Sequence, residues 1–307
     1  MPINTLEYAK IFQQALDEQM IAGATSGWME ANAGQVKYTG GNEIKIPIIS
    51  MNGLGDYDRD DGFVQGSVTL AYQTLVMTQD RGRTFQLDAM DVDETNFVAN
   101  ATNVMSQFQR TKVIPEVDAY RYSKIYALAA AADKVNATGY TPDTEDILQK
   151  LKADIATVQD IVGEGYDLVI TMSIPAASIL EQADKINKQL NVADFTKGNI
   201  TTKVLSLDNM PIIKVSSGLM KTAYVFNDGT TDGQEVGGFA PALGAKQINW
   251  LITARKSPIA VSKTDTMRIF DPMTNQKAHA WKLDYRKYHD IWIPENALDG
   301  VWANIGA

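Results

Sequence analysis

The residues best spaced for chemistry lie between 56 and 62, where "DYDRDDG" sets Asp56, Asp58 and Asp60 in alternation ahead of a glycine. Alternating carboxylates are how a calcium loop begins, because a hard cation needs several oxygens converging from one turn of chain. That loop also requires glycine at position six and a bidentate glutamate at position twelve. Counted from Asp56, position six is Asp61, Gly62 arrives one residue late, and position twelve is Ser67. Arg59 sits among the acids and would compete with a bound cation. The stretch therefore reads as a polar turn.

Other chemistries fail on similar grounds. His279 and His289 fall on expected strands, and their spacing creates no metal pair, so they read as surface or strand-packing residues. The chain has no cysteine, which excludes disulfides, thiolate metal sites and cysteine nucleophiles. The segment "GGFAPALGAK" at 237–246 suggests a phosphate loop, but Phe239 stands where glycine is needed and Ala245 where lysine is needed. Neither a G-x-S-x-G elbow nor a G-x-G-x-x-G after a strand occurs. Acid pairs such as Asp60 with Asp61, or Asp93 with Glu94, read as solvated faces; a carboxylate dyad joining distant positions stays open. Trp28, Trp250, Trp281, Trp292 and Trp302 read as packing residues, with a sugar-binding platform as the sharper alternative. No catalytic, cofactor-binding or metal-binding residue is assigned, and no cofactor is expected.

Composition narrows the classes further. The 307 residues are 45% hydrophobic and 21% charged, as in an ordinary globular protein with a substantial core. A net charge of −9 argues against sequence-specific nucleic-acid binding, which needs Lys and Arg for phosphates, but allows a shell that encloses nucleic acid without gripping it. The N-terminus is amphipathic and polar, not a signal peptide, and no run reaches the roughly 18 apolar residues that span a membrane. The N-x-T sequons at Asn100, Asn136 and Asn199 then read as chance, and the cytoplasm is the expected compartment.

The elements follow from periodicity. Residues 5–22 predict a helix, and the glycine-rich stretch 23–42 an extended arm or loop. "EIKIPIISM" at 43–51 alternates as a strand, with Pro47 favouring a sheet edge. "SVTLAYQTLVMT" at 67–78 places Val68, Leu70, Tyr72 and Val76 on one face. The intervening "GLGDYDRDDGFVQG" is then the wet tip of a hairpin. "QDRGRTFQLDAMD" at 79–91 reads as a turn, a short strand and an acidic lead-in. Residues 92–133 predict a helical element of about 40 residues, started by Asp91, Asp93 and Glu94, with Pro115 beginning a second helix or kinking one long one. A second helix faces Ile147, Leu151, Ile155 and Val158 inward, capped by Thr144 or Asp143. Beyond it come a strand at 167–172, a helix with Pro175 near its start, strands "TKVLSL" and "MPIIKV" about a turn, "TAYVFN", a glycine-rich loop at 228–244, and strands "INWLITA", "PIAVSK", "TMRIF" and an aromatic C-terminal run. The fold class is α+β.

The hairpin poses a physical problem. Twelve strand residues at about 3.3 Å each reach roughly 40 Å, and two strands alone are marginal in water. An arm of that length with an apolar face needs cover, from its own core or from another molecule.

In the order of these features, and in "GLGDYDRDDGF" at 53–63, "QDRGRTFQLDAMDVDET" at 79–95 and "IPEVDAYRYSKI" at 114–125, the chain resembles the major capsid proteins of tailed bacteriophages, with the Hong Kong-97-type fold. The likeness covers most of the chain and is best between 43 and 128. It implies an N-terminal arm (1–42), an extended hairpin loop (43–88), a peripheral domain with a long spine helix (89–160, completed by strands from 245–307) and an axial domain (161–244). It implies a coat protein, not an enzyme, that self-assembles as hexamers and pentamers into an icosahedral shell around double-stranded DNA. Scaffolding and portal proteins would be its other partners, with no membrane. The loop would then lie across a neighbouring subunit, which makes Asp58, Arg59, Asp60, Asp61, Asp80, Arg81, Arg83 and Glu94 candidate inter-subunit contacts. The arm begins close to Met1, so a separate scaffolding protein is expected. No lysine lies between Lys45 and Lys112, so the hairpin tip cannot supply a crosslinking lysine and a noncovalent shell is expected. The alternatives are a nanocompartment shell of the same fold enclosing an enzyme, or a soluble α+β enzyme or sugar-binding protein using the aromatic C-terminal half.

Overall fold

The computed structural model describes residues 23–35, 37–38, 43–57, 59–60, 62–88, 101–136, 138–183, 190–197, 200–275 and 277–307. The helix expected over 5–22 and the acidic helix start at 91–94 lie outside them.

A ribbon opens the described chain. Strands β1 (Lys37–Tyr38), β2 (Glu43–Met51) and β3 (Val68–Val76) form an antiparallel sheet in the order β1-β2-β3. β1 pairs only with Ile44 and Lys45, so β2 is an edge strand at Pro47, as its missing N–H favours. Each long strand has nine residues, not twelve, which brings the reach to about 30 Å plus the tip.

The chain then changes sheets. β4 (Gln79–Asp88) joins β12 (Ile259–Phe270) and β13 (Ala280–Trp292) in the order β12-β13-β4, antiparallel throughout. The expected turn and short strand after residue 79 is therefore one ten-residue strand. "PIAVSK" and "TMRIF" likewise merge into one twelve-residue strand, with a register shift between Ser262 and Thr264 absorbing the extra residue.

Across this sheet runs the long helix. α1 (Ala101–Phe108) passes through a π-helical turn (Gln109–Val113) into α2 (Ile114–Ala131) with no break. Pro115 has no N–H to give, and the Ile114 N–H reaches back to the Gln109 carbonyl. The wider turn thus absorbs the defect that proline makes in an i→i−4 ladder. One long helix with an internal irregularity is the outcome, and it packs Met105, Val113, Ile114 and Val117 against Met267, Leu283 and Tyr285.

The third body is a six-stranded sheet. Its strands are β5 (Leu168–Ser173), β6 (Leu190–Lys197), β7 (Ile200–Leu207), β8 (Met210–Val215), β11 (Ile248–Ala254) and β14 (Val301–Ile305), in the order β14-β11-β5-β8-β7-β6. Helices α3 (Ile147–Val162) and α4 (Ile174–Gln182) cover one face, meeting Ile170, Met172, Trp250 and Ile252. α2 covers the other, with Tyr122, Ile125 and Ala129 against Val169, Ile213, Leu251 and Ala303. Burial on both faces explains why "LVIT" and "INWLIT" read as near-continuous apolar runs. Positive φ at both Asp208 (49°) and Asn209 (65°) makes the two-residue turn between β7 and β8 the primed type that tight hairpins favour. α3 begins at Ile147 with Asp146 in its cap position and no side-chain cap bond, although Asp143, expected as a cap, accepts from the Glu145 N–H.

Three further expectations change. The stretch 23–42 is not simply an extended arm: Gly27–Gln35 is a 3-10 helix that buries Trp28 and Met29. The loop at 228–244 contains a short strand, β10 (Phe239–Pro241), paired with β9 (Tyr224–Phe226). A division at residue 245 also passes through the six-stranded sheet, since β11 and β14 belong to it.

Candidate assembly interface

The ribbon's two faces have different fates. Residues opposite each other across an antiparallel pair share a face, and the register sets Pro47, Ile49 and Met51 opposite Tyr72, Leu70 and Val68. Ile49 is 59% exposed, Met51 69%, Val68 72% and Leu70 55%. The opposite face carries Ile44 and Ile46, and these are buried with Met77 against Ile259, Val261, Tyr288 and Trp292. The base is thus anchored through one face, while the apolar stripe on the other is left exposed by the described residues. A side chain of this size gains about 1.5–3 kcal/mol on full burial, so the stripe holds a large unrealised stabilisation.

The tip between the strands is a small folded loop. The Ser67 hydroxyl donates to the Asn52 side-chain oxygen at 2.8 Å, and the Asn52 N–H donates to the Ser67 carbonyl at 3.3 Å, which closes its neck. The Tyr57 and Phe63 rings meet at 4.9 Å, and Leu54, Phe63 and Val64 are exposed. Arg59 and Asp60 are exposed at its end, while Asp58 and Asp61 lie outside the described residues. Among the described residues no cluster of carboxylates and histidines gathers as a metal would need.

The charges at the return end of the hairpin are engaged within the chain. Asp80 takes a bidentate pair from Arg286 of the neighbouring β13, and that bond holds its carboxyl below the usual range. Arg81 pairs with Glu116 of α2, donates to the carbonyls of Asn227 at 2.9 Å and Gly238 at 3.3 Å, and lies over the Phe226 ring. Arg83, two residues on, donates to the carbonyls of Glu235 and Val236. A Cβ on Gly237, whose φ is 71°, would stand 3.0 Å from the Arg83 guanidinium, so the glycines let the loop close over the arginine. Arg81 and Arg83 therefore fasten the glycine-rich loop at 227–238 to β4. Glu94 lies outside the described residues.

Sequence reasoning passed over the buried polar residues on which this frame rests. Asp118 of α2 is 1% exposed and accepts from the N–H and hydroxyl of both Thr25 and Ser26. Arg121 pairs with Glu30 and donates to the Ser26 hydroxyl. Burial opposes the charge on Glu30, but Arg121 and Lys287 outweigh it and keep the carboxyl below its ordinary range. These bonds turn the stretch after Gly23 into folded structure. Asp290, fully buried, holds Thr78 at the junction of ribbon and body. A signal was present: in "IPEVDAYRYSKI" apolar and aromatic residues surround the helix on all sides, so its charges had to be interior.

The remaining candidates resolve simply. His289 is buried edge-on to Tyr120, and burial together with Arg121, Lys287 and Arg81 pushes its pKa well down. His279 is exposed. Trp28, Trp250 and Trp292 are core residues, and the Trp250 indole donates to Asp154 at 3.0 Å. Asn136 is buried with its amide bonded to Ile305, a place that admits no glycan.

No family profile and no curated protein matches the sequence. Solved structures do match its fold. A subunit of the bacteriophage PhiM1 mature capsid is similar with a TM-score of 0.56 at 14% identity, over 87% of this chain and 82% of that one. A capsid chain of cyanophage P-SCSP1u gives 0.57 at 10% identity, over 88% and 85%. A virus-like particle from Pyrococcus furiosus gives 0.52 at 9% identity, over 97% and 99%. The fold is thus the Hong Kong-97-type α+β fold that the sequence resembles, with the long hairpin and long helix in their expected order.

Proposed function

We propose that the chain is the major capsid protein of a tailed bacteriophage. It is a structural subunit without catalytic function that self-assembles into an icosahedral shell and resides in the virion. The observation that carries this reading is a ribbon with one face anchored and an apolar face that the described residues leave exposed, on a fold shared with capsid subunits. The ribbon is the extended loop. The long helix with β4, β12 and β13 forms the peripheral domain, and the six-stranded sheet with α3 and α4 the axial domain. This moves β11, β14 and α3 from the peripheral to the axial unit, because they share that sheet and its core. Partners are further copies arranged as hexamers and pentamers, a scaffolding protein, a portal protein and enclosed double-stranded DNA, with assembly in the host cytoplasm. Arg59 and Asp60 at the tip, with Asp58, Asp61 and Glu94, remain candidates for contacts with the next copy. Asp80, Arg81 and Arg83 serve their own subunit.

Electron microscopy of the purified protein tests the reading. Closed shells support it, and a dispersed monomer at high concentration overturns it. A second reading is a cellular compartment shell, favoured by the nearly complete mutual coverage with the Pyrococcus furiosus particle. DNA inside particles isolated from infected cells supports the phage reading, and an enclosed enzyme supports the other.

A further inference from the structure

The ribbon leaves the body at two residues that belong to neither sheet. β3 ends at Val76, β4 begins at Gln79, and Met77 and Thr78 carry the chain from one sheet to the other. Met77 is buried and its carbonyl accepts from the Tyr288 hydroxyl at 3.2 Å. Thr78 faces solvent on one side and on the other is bonded to Asp290. The two oxygens of that carboxylate divide the work. Oδ2 accepts from the Thr78 N–H at 2.8 Å and from its hydroxyl at 2.9 Å. Oδ1 accepts from the Tyr120 hydroxyl at 2.7 Å and from the Ile291 N–H at 2.8 Å.

We propose that Asp290 is a positioning residue that fixes the angle at which the ribbon leaves its subunit and ties that angle to the long helix. The inference rests on the shell reading for its purpose but not for its geometry. A buried carboxylate with its acceptor sites filled costs much to disturb. Its donors come from three elements: the junction (Thr78), α2 (Tyr120) and β13 (Ile291). The apolar base at Ile44 and Ile46 resists detachment but, being non-directional, sets no angle. The directional bonds at Thr78 do. A ribbon about 30 Å long turns a few degrees of freedom at its root into several ångströms at its tip.

The native chain has no cysteine, so spin labels can be placed by Thr69→Cys on the ribbon and Lys256→Cys on the body, both exposed positions. The label–label distance distribution is measured by pulsed electron resonance on dilute, unassembled subunits. The parent should give one narrow distribution. Asp290→Asn turns an amide NH2 toward N–H donors and should broaden it at least twofold. Tyr120→Phe and Thr78→Val should broaden it less. Amide exchange at Thr78 should rise at least tenfold in Asp290→Asn, with the central amides of β12 and β13 unchanged. An unchanged width in a folded Asp290→Asn subunit overturns the proposal, and so does exchange that rises equally across the whole sheet. If Asp290→Asn fails to fold, Tyr120→Phe and Thr78→Val decide, and parental widths in both overturn it. Because the labels report on single subunits, this result is separate from whether the parent chain builds shells.

Discussion

Ile49 and Leu70 face each other across the ribbon, register partners whose side chains both stand in solvent. Neither joins the core formed by the described residues, so a charge at either site should leave the fold alone; surface substitutions of this kind usually stay within about 0.5 kcal/mol. Leu70→Asp is expected to melt with the parent and to build no closed particles. Calorimetry and electron microscopy on the same preparation check this, and normal particles would sink the proposed role of the stripe.

The tip can be removed without touching the core. Its neck is closed by the Asn52–Ser67 bonds, and an Asn-Gly link in place of residues 53–66 suits the two-residue turn then required. Soluble, folded subunits that fail to close into shells are the expected product. Sedimentation separates the outcomes.

Arg81 and Arg83 should differ although both hold the same loop. Arg81→Ala removes a partly buried ion pair with Glu116 and two carbonyl bonds, and leaves Glu116 without that partner. A loss of about 1–3 kcal/mol is expected in urea unfolding, with faster proteolysis at 227–238. Arg83→Ala removes only exposed bonds to carbonyls. It should cost under about 1 kcal/mol and mainly loosen the loop, seen as cleavage without a shift in the unfolding midpoint.

His289 gives a pH signature. Burial first, then the nearby cations, hold it neutral in the folded state, with a pKa well below 6.5. The unfolded chain therefore binds a proton that the native chain does not as pH falls below about 6.5. Its contribution is complete above that value and is lost progressively below it. Glu30, whose pKa is lowered, adds its own loss only below about 4.5. Between pH 6.5 and 5 the parent should lose stability, and His289→Gln should flatten that slope. An identical slope in the variant would remove His289 as its source.

Assembled particles boiled in denaturant should run as a single chain. The hairpin has no lysine between Lys45 and Lys112 from which an isopeptide bond could form. A ladder of larger species would contradict this.

Much of the architecture was legible because it rests on local periodicity. The alternation in "EIKIPIISM" gave β2 its bounds, and the spacing of Ile147, Leu151, Ile155 and Val158 gave the buried face of α3. What stayed hidden depends on partners far along the chain. "QDRGRTFQL" looks like a turn because Arg81, Gly82 and Arg83 break the pattern, yet β13 supplies a full-length partner and α2 supplies Glu116. "GATSGWME" looks like loose chain until Asp118, more than ninety residues away, receives Thr25 and Ser26. The partners of three candidate contact residues within the chain were hidden in the same way. Asp80, Arg81 and Arg83 have the composition of a surface patch, and each already has partners within its own chain.

On the proposed shell reading, the two unlike faces of the ribbon also bear on the kind of polymer that forms. A stripe covered by some other part of the next copy makes a head-to-tail contact, so each copy both gives and receives, and no pair of molecules can satisfy it. Such contacts propagate until a rotation returns to its start. On the proposed shell reading the ribbon therefore favours growth over pairing, and the tilt between neighbours would set where a ring closes.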